Sequence, residues 1–193
     1  MDFQISLPDW VEDLLGRGPK VFPAAEDRVR LVMRLAQENI ERRTGGPFGA
    51  GIFDASGRLI APGINIVTPT NCSVLHAEMV AIALAHKRLG RYDLGDGGKF
   101  YYELVTSTEP CAMCFGAIPW SGVARLVCGA RGEDAQRIGF DEGPKLPHWW
   151  KALEERGIQV TRDLLREDGV SILKRYIKLG GPIYYPRNRG SAK

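Results

Sequence analysis

Two short motifs constrain this chain most strongly, because together they contain three side chains that can bind one metal ion. His76-Ala77-Glu78 is the first motif, and Pro110-Cys111-Ala112-Met113-Cys114 is the second. Zinc prefers imidazole and thiolate ligands in a tetrahedron, and a catalytic site supplies only three protein ligands, which leaves the fourth position for water. The motifs therefore predict a catalytic zinc site with the ligands His76, Cys111 and Cys114, and with Glu78 beside it as an unligated acid–base group.

The spacing of the two motifs predicts that each stands at the beginning of a helix. Cys111 and Cys114 are three residues apart and therefore share one face of a helix that Pro110 would begin. The positive end of the helix dipole favours the thiolate, which is the form that binds metal. A second helix is expected over residues 77–89, ended by Gly90. Two helix N-termini would then point at one ion.

Other interpretations of the cysteines stay open at this stage. A Cys-x-x-Cys pair can be a redox pair or half of a structural zinc site, although a structural site needs a fourth ligand and none lies at a suitable spacing. His86 and His148 are interpreted as ordinary surface or packing residues. Cys72 and Cys128 are expected to be small buried hydrophobic residues in a reducing compartment, and a disulfide between them remains an alternative.

Length and composition indicate one ordinary globular domain. The chain has 193 residues, of which 44% are apolar and 25% charged, and its net charge of +3 is mild. This charge neither requires nor excludes a nucleic-acid partner, and the basic residues that gather near the C-terminus are interpreted as a solvated face. We find no signal peptide and no apolar run of membrane-spanning length, so we expect a cytoplasmic protein without a membrane partner.

The pattern along the chain predicts an α/β fold. Residues 1–25 are interpreted as an irregular extension in which residues 10–15 can form a short helix, and residues 26–43 have the apolar spacing of an amphipathic helix. A hairpin is expected around the turn at residues 54–57. Helices and strands alternate in the rest of the chain, which implies a mixed sheet covered by helices on both faces.

The motifs resemble those of the cytidine deaminase superfamily, in which His-x-Glu and Pro-Cys-x-x-Cys form the zinc site of nucleobase deaminases. The resemblance covers roughly residues 26–143, and within the superfamily the chain is most similar to bacterial guanine deaminases. It rests on the two metal motifs, Asn65 and two further segments, Gly46-Pro47-Phe48-Gly49-Ala50 and Gly139-Phe140-Asp141-Glu142-Gly143. The resemblance implies a three-layer α/β/α sandwich around a five-stranded mixed sheet, with residues 26–193 forming one zinc-dependent deaminase domain.

The resemblance also implies roles for two carboxylates. Glu78 would move a proton from the attacking water to the ring, and Glu142 would carry a proton to the leaving amine. Position 142 is a glutamate where an aspartate is familiar in the family, and one more methylene still allows the transfer. From spacing alone, Asp141 and Glu142 would be interpreted as ordinary loop acids.

Further substrate contacts follow from the same resemblance. Asn65 would hydrogen-bond the base, Phe48 would pack on its face, the backbone near Ala77 would contact another ring edge, and Asp141 and Trp120 would lie in the pocket. For Phe48 and Trp120, packing in the core is the alternative.

The resemblance implies a homodimer in which the C-terminal segment, about residues 180–193, closes the pocket of the partner subunit. Tyr184 and Tyr185 are the aromatic candidates in that segment. The alternative is that these tyrosines hold the segment against their own subunit.

The activity implied by the resemblance is zinc-dependent hydrolysis of guanine to xanthine and ammonia, with secondary activity on s-triazines such as ammeline. The partner would be a small nucleobase rather than a nucleic acid. A tRNA adenosine deaminase, a cytosine deaminase and a non-catalytic zinc module are the competing functions. Retention of Glu78 argues against the last, because a structural zinc site gains nothing from an unligated carboxylate beside it.

Overall fold

A five-stranded mixed sheet forms the centre of the protein, as seen in a computed structural model that describes residues 4–184. The strand order is β2-β1-β3-β4-β5, with β1 antiparallel to β2 and β3, and with β3, β4 and β5 parallel. The strands are β1 (Gly49–Asp54), β2 (Leu59–Ile64), β3 (Tyr102–Thr108), β4 (Arg125–Ala130) and β5 (Gln159–Thr161). The predicted α/β class and the five-stranded mixed sheet are confirmed.

Helices surround this sheet and connect its strands. Their bounds are α1 (Asp9–Gly16), α2 (Ala25–Glu41), α3 (Val67–Thr70), α4 (Ala77–Leu89), α5 (Ala112–Ser121), α6 (Gly132–Arg137), α7 (Trp149–Glu154) and α8 (Arg166–Lys178). The predicted helix over residues 77–89 is confirmed, and Gly90 ends it in the left-handed conformation with φ +67°. Over the residues described, no helix is both long and apolar enough to cross a membrane.

The sheet divides the core into two layers, because successive side chains of a strand point to opposite faces. One buried cluster contains Leu104 of β3 together with residues of α4, α5 and α7. The other contains the next residue, Val105, together with residues of α2 and α8. Helices therefore cover both faces, which gives the expected three-layer sandwich.

The N-terminal extension packs against this sandwich. Trp10 and Val11 of α1 are buried in a third cluster with residues of α2, β2 and α4. The indole Nε1 of Trp10 donates a hydrogen bond to Thr44 Oγ1 over 3.1 Å. The described part of residues 1–25 is thus attached to the domain through buried apolar surface.

The helices differ from the sequence-based expectations mainly near turns. Helices α3 and α6 are too short to show a periodic pattern and were not predicted. Helix α7 begins only at Trp149, because Pro147 and the left-handed His148 (φ +52°) precede its first turn. The hairpin of β1 and β2 is confirmed, and Asp54 Oδ1 accepts hydrogen bonds from the backbone N–H groups of Ser56 and Arg58 in its turn.

Candidate active site

Three metal-competent side chains meet where α4 and α5 begin. His76 is the N-cap residue of α4, and Cys111 is the N-cap residue of α5. The expected helix start at Pro110 was two residues early, since α5 begins at Ala112. One donor atom from each of His76, Cys111 and Cys114 lies within 4.8 Å of the others. The two helix N-termini therefore converge on one point, as the motif spacing predicted.

The distances between these donor atoms fit a tetrahedral zinc ion. His76 Nδ1 lies 3.5 Å from Cys111 Sγ and 3.6 Å from Cys114 Sγ. Typical zinc–sulfur and zinc–nitrogen bond lengths at the tetrahedral angle place a sulfur and a nitrogen ligand about 3.6 Å apart. The donor set is also the nitrogen and sulfur combination that zinc prefers. The three residues thus satisfy both the geometry and the chemistry of a three-ligand zinc site with one open position.

The two cysteines differ in the pKa of their thiols. A hydrogen bond from Cys114 lowers the pKa of Cys111 to about 4, and neighbouring His76 lowers it further against the effect of burial. The same contact with Cys111, together with burial, raises the pKa of Cys114 well above its ordinary value. Cys111 is therefore the more easily ionised of the two thiols, and zinc requires both sulfurs as thiolates.

Glu78 lies next to these donor atoms without joining them. The metal-competent group found among residues 4–184 contains only His76, Cys111 and Cys114. Glu78 is the second residue of α4 and is only 7% exposed. Burial, with a further contribution from the Cys111 thiolate, raises the pKa of Glu78 to about 7. A carboxyl group with such a pKa can both accept and donate a proton near neutral pH.

A cavity of about 810 Å³ opens over the donor atoms. This volume is within the usual range for small-molecule sites. Eight of the residues predicted for the site line it, namely Phe48, Asn65, His76, Glu78, Cys111, Asp141, Glu142 and Tyr184. Cys114 is fully buried beneath the cavity. The structure therefore gathers most of the predicted residues around one pocket.

Three buried polar atoms on residues that line this cavity have no hydrogen-bond partner among the described residues. They are Asn65 Nδ2, Glu142 Oε2 and the Tyr184 hydroxyl oxygen. Asn65 is 1% exposed, and its Oδ1 already accepts a hydrogen bond of 3.3 Å from the backbone N–H of Val67. Buried polar groups in folded proteins are normally paired, so unpaired ones that share a pocket indicate a polar ligand.

Glu142 lines the cavity beside the start of α5. Its backbone carbonyl accepts a hydrogen bond of 2.8 Å from the N–H of Ala112, the residue after the first metal-competent cysteine. Burial raises the pKa of Glu142 to about 8, although the nearby Lys145 ammonium opposes this shift. Asp141 is different, because it is exposed at the cavity edge and its Oδ1 accepts a 2.7 Å hydrogen bond from the N–H of Gly143. Asp141 thus shapes the turn that presents Glu142.

Aromatic rings form one wall of the cavity. Phe48 and Phe140 pack edge to face with ring centroids 5.0 Å apart, and Phe140 packs in the same way on Tyr184 at 5.3 Å. Phe48 therefore lines the pocket and also packs on the core, so both interpretations of this residue apply. Phe140 was not among the predicted site residues, although it lies directly before two that were.

One predicted contact differs in the structure. Trp120 does not line the cavity and is 83% exposed, so that expectation was wrong for the pocket of this chain. Its position explains the error, because six residues beyond Cys114 correspond to a rotation of about 240° around the helix axis. The side chain of Ala77 is buried in the core, so the contact predicted for its backbone stays a prediction. Tyr185 lies outside the described residues.

The other cysteines and histidines are accounted for. Cys72 and Cys128 are both free, which removes the disulfide alternative. Cys128 is buried in the core as expected, whereas Cys72 is half-buried and lines the cavity. His86 Nε2 lies 3.2 Å from the Ser121 carbonyl oxygen, and His148 is exposed beside Trp150. Both histidines have the packing or surface roles predicted for them.

The protein combines a mixed sheet with an imidazole and two thiols at the N-termini of two helices, and a buried carboxyl group lies beside them. This combination defines the class of metal-dependent hydrolytic deaminases. The chain belongs to the cytidine and deoxycytidylate deaminase family, because the sequence model of that family's zinc-binding region matches residues 24–130. The predicted superfamily is thereby confirmed.

Known proteins of this class resemble the chain over most of its length. A guanine deaminase of Bacillus subtilis is 39% identical over 142 residues, which are 74% of this chain and 87% of the relative. The solved structure of a guanine deaminase from Nitrosomonas europaea is 46% identical and has a TM-score of 0.85, covering 91% of this chain and 96% of its own. A further crystal structure, in complex with 2,6-diaminopurine, is also 46% identical, has a TM-score of 0.86 and covers 95% and 97% of the two chains.

Proposed function

We propose that the protein hydrolyses guanine to xanthine and ammonia with the help of a zinc ion held by His76, Cys111 and Cys114. The observation that carries this proposal is the placement of two buried carboxyl groups, Glu78 and Glu142, around one cavity that also contains the unpaired amide of Asn65. Relatives named guanine deaminase, at 39% and 46% identity, support the choice of substrate.

The first half of the reaction would depend on Glu78. When bound, zinc lowers the pKa of water and so supplies a nucleophile at neutral pH. Glu78 takes the proton of the water as the C–O bond forms at C2 of guanine, and it delivers that proton to the neighbouring ring nitrogen N3. With its pKa near 7, the carboxyl group is suited to both transfers, and a general acid–base step of this kind typically contributes about 100- to 10,000-fold in rate.

The second half would depend on Glu142. The C2–N bond can break easily only if the nitrogen leaves as ammonia, so the amino group must first gain a proton. Glu142 is buried at the cavity wall, and burial keeps its pKa near 8, so it holds a proton at neutral pH. It donates this proton to the leaving amine. As the C2–N bond breaks, the C2 hydroxyl group passes its proton to the Glu78 carboxylate and becomes a carbonyl, so the products are xanthine and ammonia.

Binding would rely on the remaining walls of the cavity. Asn65 Nδ2 is a free donor that can bond an acceptor on the purine ring, while its Oδ1 is fixed by the backbone of Val67. The Phe48 and Phe140 rings offer an apolar surface to the base. The backbone at Ala77, in the first turn of α4, is a candidate donor for another ring edge.

A free base fits the cavity better than a base within a polynucleotide. Ile183 and Tyr184, which follow α8, line the cavity. A tRNA loop would need this segment to move aside, whereas free guanine would not. Cytosine and s-triazines such as ammeline have a similar amino-bearing carbon, and we propose ammeline as a secondary substrate.

The experiment that tests this function measures purified protein with guanine. Guanine absorbance should fall as xanthine forms together with an equal amount of ammonia, and the Glu78→Gln variant should be inactive under the same conditions. A tRNA anticodon stem-loop and cytosine serve as competing substrates. Turnover of either of these without turnover of guanine would refute the proposed substrate.

We propose further that the active form is a cytoplasmic homodimer in which residues 180–193 close the pocket of the partner subunit. Tyr184 lies in the pocket of its own chain in the structure, which corresponds to the alternative that the sequence left open. Oligomers that mix two different variants distinguish closure of the partner's pocket from closure of the segment's own pocket. If the segment crosses between subunits, combining Glu78→Gln with a chain ending at residue 179 should restore activity, because one intact pocket would receive one intact segment. No restoration, despite mixed oligomers, would favour closure within each subunit.

A further inference from the structure

A lysine behind the proposed proton donor is almost completely enclosed. The side chain of Lys145 is only 13% exposed, and its ammonium lies 3.7 Å from Glu142 Oε2 and 3.8 Å from Glu109 Oε2. The same nitrogen donates a hydrogen bond of 3.0 Å to the carbonyl oxygen of Pro110, directly before Cys111. One cation therefore touches both the carboxyl group of Glu142 and the segment that carries a predicted metal ligand.

The surroundings hold this ammonium in place. The Trp149 ring centroid is 5.2 Å from Lys145 Nζ, within the range of a cation–π contact. Arg162 satisfies the other oxygen of Glu109 with a 2.7 Å hydrogen bond from its Nε, so Glu109 is shared between two cations. A surface lysine is usually free to change rotamer, whereas this one is fixed by packing and by three polar neighbours.

We propose that Lys145 is a positioning residue for the deamination reaction and that it acts through Glu142. It holds the carboxyl group of Glu142 toward the cavity and balances the negative charge that Glu142 acquires when its proton passes to the leaving amine. This inference rests on the proposed role of Glu142 in the reaction.

The physical reason is the cost of an isolated charge in a buried site. Glu142 is 6% exposed, and its Oε2 has no hydrogen-bond partner within residues 4–184. A carboxylate formed there would be strongly disfavoured without a nearby cation. Lys145 is the cation within ion-pair distance of Glu142 among the described residues. Losing it should therefore slow the step in which Glu142 gives up its proton, more than it weakens substrate binding.

The test replaces the lysine with an uncharged side chain of similar length. In Lys145→Met the value of kcat for guanine should fall by about 10- to 100-fold, the usual effect of removing a residue that supports a catalytic group, while KM changes little. Lys151→Met is the matched control, because Lys151 is an exposed lysine on neighbouring α7, and this variant should behave like the unchanged protein. An unchanged kcat in Lys145→Met, or a loss confined to KM, would overturn the inference.

A double-mutant cycle shows whether the lysine acts through Glu142. In a Glu142→Gln background no carboxylate can form, so adding Lys145→Met should cause no further loss of kcat. If the double variant loses kcat by the product of the two single-variant losses, the two residues act independently. That result would contradict the inference even if both single variants are slow. If Glu142→Gln alone has no effect, the proposed role of Glu142 fails, whereas an effect of Glu142→Gln without one of Lys145→Met refutes only the role of the lysine.

Zinc content and the melting temperature are measured for each variant, because Lys145 also contacts the Pro110 carbonyl. Retained zinc with reduced kcat is the expected result. Zinc loss in step with the activity would assign the lysine to the metal site and overturn the inference. If Lys145→Met does not fold, Lys145→Gln takes its place in the same cycle, with the same expected results.

Discussion

Asn39 should be one of the positions outside the cavity at which substitution lowers stability most. Replacing it tests how the backbone of Asn65 is held in place. Asn39 lies near the end of α2 and is fully buried. Its Nδ2 donates hydrogen bonds of 2.9 Å to the carbonyl oxygens of Gly46 and Asn65, and its Oδ1 accepts one of 2.8 Å from Thr44 Oγ1. The side chain thus ties α2 to the segment before β1 and to the backbone of the proposed substrate residue Asn65.

The expected loss of stability in Asn39→Ala follows from these three bonds. Each buried hydrogen bond contributes about 1 kcal/mol. The Gly46 carbonyl still accepts from the N–H of Phe48 at 2.9 Å, and the Asn65 carbonyl from the N–H of Gly46 at 3.2 Å. Neither carbonyl is left unpaired, so the free energy of unfolding should fall by about 3 kcal/mol rather than by a larger desolvation penalty. For a chain of this length, that corresponds to a decrease in Tm of about 6 to 12 °C.

Urea unfolding of the purified variants measures this loss, and Asn39→Asp provides the comparison. The aspartate keeps the acceptor for Thr44 but brings a carboxylate oxygen toward two carbonyl oxygens, so it should be less stable than Asn39→Ala. The KM for guanine should also rise in both variants, because the backbone of Asn65 loses its support. A change below about 0.5 kcal/mol in Asn39→Ala, within the range of neutral surface substitutions, would refute the reasoning. Equal stability of Asn39→Asp and the unchanged protein would refute it as well.

Three further predictions address the site and its surroundings. Glu78→Gln should retain zinc in elemental analysis and lose at least about 100-fold in kcat, whereas loss of the metal would identify Glu78 as a ligand. Trp120→Ala should leave kcat/KM unchanged in steady-state assays, since the ring is exposed and outside the cavity. Asp134 has its pKa lowered chiefly by a hydrogen bond from Arg166, so its stabilising effect is present above the unfolded pKa of about 3.9 and is lost as pH falls through the lower folded pKa. Asp134→Asn should therefore flatten the dependence of unfolding free energy on pH in that acidic range, and an unchanged slope would contradict this.

The parts of the fold that the sequence could predict are those with local signals. The hairpin of β1 and β2 follows from a turn sequence between two apolar runs, and α4 follows from the His76-Ala77-Glu78 motif at its start and from Gly90 at its end. The convergence of His76 with Cys111 and Cys114 was predictable because zinc chemistry needs three such ligands, and no other histidine or cysteine had a suitable spacing. The need for three zinc ligands thus predicts contacts between distant residues, which secondary-structure propensity alone cannot do.

The parts that the sequence could not predict depend on packing between distant segments. Trp120 follows the Cys-x-x-Cys motif closely and still lies outside the cavity. The orientation of α5 about its own axis decides which of its side chains face the metal-competent donor atoms. Phe140 has no pattern of its own and reaches the pocket only through the path of the loop after α6. Lys145 reads as one of many charged residues, and its burial becomes apparent only once Glu109 and Glu142 are seen around it.

Packing between distant segments also explains the choice of glycine at position 132. Gly132 is the first residue of α6, where glycine is a poor helix former and its backbone does not adopt a positive φ. Local preference therefore does not explain a glycine at this position. Its N–H donates a 3.1 Å hydrogen bond to Glu109 Oε2, and a β-carbon built there would lie 2.8 Å from Lys145 Nζ and 3.2 Å from Glu142 Oε2. A side chain at position 132 would occupy the space in which Lys145 contacts Glu142. A residue with higher helix propensity at the start of α6 would therefore separate the proposed proton donor from its counter-ion.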